Sequence, residues 1–298
     1  MTTFISAPEQ VDLALPALTG FYDFIGCWCA RTAEGFIIID PGPAATIPDV
    51  IAYLHERSAS TSGSPSLTTI LLTHIHVDHA GGTGHLAAAF PEATVICPAR
   101  SIRHLVDPTR LEESSRTVLG TLMDHYGPIA PVPALRIVAA EESSWNAIAT
   151  PGHSPDHTSY LIDGHLFCGE ALGVICAPAS ATYRRPATPP RFEREPYLTT
   201  IALLKQQSSH TACFGHFGSL PWTPEICAQS QQQITTWIGI VSIHPNASDE
   251  TLIDLLIKQD PLFAPFADLP EPIRQREGTF VKNSLRGIRD FVSRSEGA

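Results

Sequence analysis

Charge is scarce in this sequence. Charged residues make up 16% of the 298 positions, below the roughly one quarter usual for soluble domains. Lysine occurs only as Lys205, Lys258 and Lys282, and 19 basic against 30 acidic residues leave a net charge of −11. Nucleic-acid surfaces need clustered Lys and Arg, so none is expected, and polyanionic substrates are disfavoured. No apolar run approaches the ~20 residues that cross a bilayer; the best stretch, 234–243, is short and holds polar residues. No Lys or Arg precedes Arg31, so the basic start of a secretory signal is missing. The 7 cysteines are an odd number scattered along the chain, which is not a disulfide scaffold. These absences lead us to expect a cytoplasmic protein with reduced thiols. Its partner would be a small molecule, with no nucleic acid and no membrane; the oligomeric state is not readable.

Hydrophobic residues supply 43% of the chain, enough for a sizeable core and too many for intrinsic disorder. Short apolar runs with strand character lie at 36–40, 67–73, 94–97, 135–139, 159–163 and 211–215. Between them, Ile47, Val50, Ile51 and Leu54 follow a helical spacing, and 110–126 also reads as helix. Proline-rich stretches at 127–133 and 178–190 read as a linker and a long irregular loop. After about residue 220 the strand signals end. Thr223-Pro224-Glu225 reads as a helix start, Ser248 as a helix cap, and Val281, Leu285, Ile288 and Val292 as a last apolar stripe. The chain thus divides into a mixed α/β body, 1–220, and a helical region packed on it, 221–298.

The central signal is Thr73-His74-Ile75-His76-Val77-Asp78-His79, directly after the run Ile70-Leu71-Leu72. A loop at a strand end can aim several imidazoles and a carboxylate at one point, and both are ligands for Zn²⁺ and other first-row metals. Three further stretches add ligand types at turns or strand ends: Thr150-Pro151-Gly152-His153, Cys168-Gly169-Glu170 and Gly215-His216. Together they offer five His and two carboxylates, enough for two metals. Asp40 follows another strand.

In this order the elements THIHVDH, TPGH, GE and GH, with Asp40 upstream, resemble the metallo-β-lactamase superfamily, and within it the glyoxalase II-like hydrolases. The resemblance runs from about residue 20 to 220. It implies an α/β (α+β) fold, a four-layer αββα sandwich, here with a C-terminal helical extension. It implies that His74, His76 and His153 hold one metal, that Asp78, His79 and His216 hold a second, and that Glu170 stands where the superfamily has a bridging Asp. Asp40 would orient a ligand His from behind, and His157 would be structural. Two divalent ions are implied, Zn first, with Fe or Mn also fitting because Glu170 departs from the pattern. The implied reaction is hydrolysis of a small thioester or ester by a metal-bound hydroxide, with Asp78 orienting the nucleophile. Tyr183, Arg184 and Arg185 are candidate substrate residues, the arginines for a carboxylate. The cleft walls are expected from 177–193 and the helical tail. Alternatives are an effector or sensor module without turnover, a phosphodiesterase or nuclease of the same superfamily, and a one-iron oxygen chemistry.

Overall fold

A computed structural model describes residues 2–59, 66–176, 183–216 and 218–296. Two sheets face each other. The first holds β1 (Glu9–Gln10), β2 (Trp28–Arg31), β3 (Phe36–Ile39), β4 (Leu67–Leu71), β5 (Thr94–Cys97) and β6 (Ile137–Ala139) in that spatial order. Its first two pairings are antiparallel and the other three parallel. The second sheet draws on β7 (Ala147–Ala149), β8 (Thr158–Ile162), β9 (His165–Gly169), β12 (Thr211–Phe214) and β13 (Ser219–Pro221), in the order β13-β12-β9-β8-β7. Between β9 and β12 the chain makes a small hairpin of β10 (Val174–Ile175) and β11 (Arg184–Arg185).

The hydrophobic pattern explains the layers. All four residues of β3 are buried, as strands covered on both faces require. Ile37 and Ile39 join Trp28, Tyr160 and Phe167 between the sheets, while Phe36 and Ile38 face α1 (Ile47–Ala59) and α3 (Thr83–Ala89). The short α2 (Val77–Ala80), α4 (Ile102–Val106), α5 (Thr109–Leu119) and α6 (Leu122–Tyr126) complete that outer layer. On the far side, Leu166, Cys168, Ala212 and Phe214 of the second sheet pack against α7 (Arg194–Leu204), α8 (Pro224–Ile243), α9 (Asp249–Gln259) and α10 (Glu271–Glu296). The architecture is therefore αββα with a C-terminal helical region whose stripe Val281, Leu285, Ile288 and Val292 is buried in the shared core.

Local expectations hold with instructive shifts. Ser248 caps α9 by accepting from the Thr251 N–H at 3.2 Å. The helix over 110–126 breaks at Gly120, which sits at φ +58, where glycine carries no Cβ penalty. The strand at 135–139 begins only at Ile137, and Leu135 is fully exposed. The stretch 127–133 is not a free linker, because Ile129 and Val132 are buried in the core. Of the irregular stretch 178–190, residues 178–182 lie outside the described residues, and Arg184–Arg185 pair as a strand. The seven cysteines are all buried thiols.

Candidate metal centre

Parallel strands deliver the site. Asp40 follows β3, the Thr73–His79 loop follows β4, Glu170 follows β9 and His216 follows β12, so four chain turns open at one edge of the two sheets. Backbone bonds bind these turns to one another: Thr158 N–H donates to the Thr73 carbonyl at 2.7 Å and Gly215 N–H to the Gly169 carbonyl at 2.8 Å. Gly169 sits at φ +52, and a Cβ there would lie 2.4 Å from His157 Nε2. Glycine is therefore needed for the carboxylate to enter the site.

Ring nitrogens converge on Glu170. Its Oε2 lies 2.9 Å from His153 Nε2 and 3.4 Å from both His74 Nε2 and His79 Nε2, and its Oε1 lies 3.4 Å from His216 Nε2. His76 presents Nδ1, 3.1 Å from His74 Nε2 and 2.9 Å from His153 Nε2. Asp78 Oδ2 lies 3.8 Å from His79 Nε2. Among the described residues three overlapping groups have ligand atoms inside 4.8 Å: the donor sets His74-His76-His153-Glu170 and Asp78-His79-His216, and Asp40-His74-His79 behind them.

The opposite edges of the rings are held. His153 Nδ1 donates to the Ala187 carbonyl at 3.1 Å and His216 Nδ1 to the Phe24 carbonyl at 2.8 Å. The Thr73 hydroxyl donates to Asp40 Oδ2 at 2.6 Å, so its oxygen accepts from His74 Nδ1 at 3.0 Å. These bonds assign the protons to Nδ1 and leave bare Nε2 lone pairs pointing at one another and at a carboxylate. Asp40 also accepts from the Thr73 N–H at 2.8 Å and lies 3.4 Å from His79 Nδ1. It does so from φ +53, a left-handed conformation that Asp tolerates better than most residues. His157 is used up: Glu170 N–H donates to its Nε2 at 3.1 Å, and its Nδ1 bonds Thr150 at 2.8 Å.

Electrostatics divide the imidazoles, disfavouring a proton on His74 and His76 and favouring one on His79. Burial, with help from neighbouring imidazoles, holds His74 well below the usual histidine range and His76 at about 4. Burial opposes ionisation of Glu170, but His153 and His216 outweigh it and keep the carboxyl well below its ordinary range. At His79 burial also opposes charge, and the Asp78, Asp40 and Glu170 carboxylates override it and raise it well above. Both nitrogens of His79 lack a hydrogen bond although fully buried. Crowded acceptors, an orphaned imidazole and a buried carboxylate fit divalent cations, for which His and carboxylate are the natural donors.

The centre forms the floor of a cavity of about 1150 Å³. Its walls include Ala187, Thr188 and Pro189 from the expected stretch, and Phe280, Asn283 and Ser284 of α10. Helix and loop meet closely: a Cβ at Gly287 would lie 2.1 Å from the Thr188 carbonyl. Of the three candidate substrate residues, only Arg185 lines the cavity. Its Nε pairs with Glu277 Oε2 at 2.9 Å, and Tyr183 OH reaches the same carboxylate at 3.3 Å. Arg184 is buried on the other side, bonded to Ser230 at 2.6 Å and Gln229 at 2.8 Å. Tyr183 and Arg184 thus sit in packing positions away from the cavity. Cys168 also stays in the core, its Sγ 3.3 Å from the Cys213 carbonyl. Glu277 carried no sequence signal, because it lies in a tail helix with no motif around it.

A four-layer αββα body with a His and carboxylate centre at its strand ends defines a class of metalloproteins. The family model of the metallo-beta-lactamase superfamily matches residues 24–216, more than half of the sequence, and the chain belongs to that superfamily. Among curated proteins it is similar to the hydroxyacylglutathione hydrolase of Thiobacillus denitrificans, 31% identical over 160 residues, which are 54% of this chain and 49% of that enzyme. It is also similar to the hydroxyacylglutathione hydrolase of Vibrio parahaemolyticus, 34% identical over 136 residues, 45% of this chain and 41% of that one. The chain spans about half the length of the curated relatives it matches. Among solved structures, an archaeal superfamily member from Sulfolobus tokodaii aligns with a TM-score of 0.71 at 20% identity, over 95% of this chain and 98% of its own. One from Thermus thermophilus aligns with 0.65 at 18% identity, over 98% and 94%. At these identities the likeness concerns the fold.

Proposed function

We propose that this chain is a binuclear metal-dependent hydrolase of a small thioester or ester. The observation that carries the reading is Glu170, whose Oε2 lies against His153 and whose Oε1 lies against His216, so this one carboxylate would be within reach of ions held by either donor set. The activity that names the curated relatives favours a thioester. His74, His76 and His153 would hold one divalent ion and Asp78, His79 and His216 the other, with Zn first and Fe or Mn next. Bound ions supply an acidified water at neutral pH and positive charge for the oxyanion of the reacting carbonyl.

The chain's own residues do the rest. Asp78 is the ligand-type carboxylate with some solvent exposure, 16% against 6% for Glu170, and it faces the cavity. It orients the attacking water and takes up its proton. Thr73, Ala187 and Phe24 lock the imidazoles, so the centre is preorganised rather than assembled by substrate. Residues 1–220 act as the catalytic body, and 221–298 contribute the α10 wall. A cytoplasmic location agrees with the free thiols; no helix among the described residues is long and apolar enough to cross a membrane.

Elemental analysis of protein purified without chelator tests the reading, together with a thioester, lactone and phosphodiester panel run with and without chelator. The expected result is about two metals per chain, as in two-metal hydrolases, and chelator-sensitive thioester turnover. Glu170→Ala should weaken metal binding with the fold retained, and Glu170→Asp should keep two metals. Turnover of phosphodiesters alone transfers the protein to the nuclease reading. A fully metallated protein that turns over nothing transfers it to the effector reading.

A further inference from the structure

The mouth of the cavity carries arginines that the protein does not use. Among the described residues, Arg100, Arg110 and Arg191 are the arginines whose guanidinium makes no hydrogen bond, ion pair or ring contact, and all three line this cavity. They come from three places: the turn after β5, the start of α5, and the loop before α7. All three are exposed.

Two of these positions carry a local cost. Arg191 sits at φ +71. Among the described residues the other non-glycine positions with positive φ are Asp23, Asp40 and Asp163, and Asp tolerates that conformation better than a long side chain does. Arg110 lies in the first turn of α5, where the helix dipole disfavours a cation. The acids nearby are engaged by neutral donors: Glu141 accepts from the Ala99 N–H at 3.0 Å, and Asp156 from the hydroxyls of Ser154 and Ser101. Asp107 accepts from Thr109, and the Arg110 charge adds to the lowering of its carboxyl. Glu193 is the remaining acid of the rim. The net charge of −11 averages the whole surface and does not describe this mouth.

We propose that Arg100, Arg110 and Arg191 form an anion-recognition rim, so that the substrate carries a carboxylate or phosphate on the part that projects outward from the metal centre. A guanidinium presents a fork of donors that matches either group. The cavity slightly exceeds the usual ~300–1,000 Å³ of ligand pockets, which leaves room for a charged end beyond the reacting carbonyl. The inference rests on the hydrolase reading for its chemistry, but not for its binding.

The test uses the metal-loaded protein and three acetyl thioesters, with 3-mercaptopropionate, its methyl ester or 2-mercaptoethyl phosphate as leaving thiol. The expected preference for an anionic leaving group is about tenfold in kcat/KM, or about 1.4 kcal/mol, carried by KM. The triple variant R100Q/R110Q/R191Q abolishes it, and the neutral ester is unaffected. Arg191→Gly separates strain from function, because glycine adopts this φ freely; it should unfold no more easily than wild type yet lose part of the preference. Calorimetry with the uncleavable S-ethyl thioethers of the same thiols gives a readout that needs no turnover. Equal kcat/KM and equal binding for charged and neutral compounds overturn the rim and leave the hydrolase reading intact. Tighter binding of the anionic thioethers without turnover of any thioester overturns the hydrolase reading and keeps the rim. The anion bound more tightly identifies its source, carboxylate or phosphate.

Discussion

At the floor of the cavity the ligand-type histidines are buried, His76 only partly, and most are held from behind, whereas at its mouth the arginines are exposed and held by nothing. His74, His153 and His216 each give one ring nitrogen to an oxygen and keep the other for the centre. Arg100, Arg110 and Arg191 keep every donor free. Burying acceptors against one another is unfavourable unless a cation joins them, so the floor requires a rigid frame and a metal. Guanidinium groups in water carry no such penalty, and ordering them is deferred until a ligand arrives, at an entropic cost. Chemistry is thus fixed by the folded frame, and selectivity is left to exposed side chains. Arg185 stands between the two regimes, buried like the floor and aimed into the cavity like the rim.

The contrast can be broken most severely at the floor. His76→Ala should remove most of the metal and turnover, since the first donor set falls to two histidines and Glu170; metal analysis and thioester assay check this. Next comes the junction. Glu277→Ala strands the buried Arg185 and Arg276 charges, and breaking such a pair costs about 3–5 kcal/mol, readable in thermal unfolding. Its pH dependence has a defined sign. Burial opposes ionisation of Glu277, but Arg185 and Arg276 override it and lower the carboxyl from 4.5 to about 2. The stabilisation is therefore complete above 4.5 and is lost as pH falls toward 2. The advantage of wild type over Glu277→Gln should shrink across that window. A smaller effect is expected behind the floor. Asp40→Asn should weaken metal affinity about 10–100-fold with folding retained, measured by competition with a chromophoric chelator. Smallest is the rim, where Arg191→Gly should change KM for anionic thioesters only severalfold and leave metal content unchanged. An equal loss of metal at rim and floor would erase the distinction.

Much of the floor was legible because its signals are local. His74, His76, Asp78 and His79 fall within six residues after a strand, and Glu170 and His216 each follow a short apolar run. Their convergence then follows from β9 and β12 being parallel neighbours, which places both carboxyl ends at one edge. The apolar runs at 36–40, 67–73, 94–97 and 211–215 coincide with β3, β4, β5 and β12, since continuous burial needs continuous apolarity. The three rim arginines carried no such local signal, because they come from segments far apart in sequence.

Residue order alone determined the superfamily, the αββα class and the set of ligand-type side chains, because these depend on spacing and on hydrophobic period. Tertiary structure decided which ring nitrogen faces inward, for that depends on carbonyls such as those of Phe24 and Ala187 brought from distant loops. It also separated Arg184 from Arg185. Adjacent strand residues point to opposite sides, and only the packing of β11 between α8 and α10 sends Arg184 to a helix and Arg185 to the cavity.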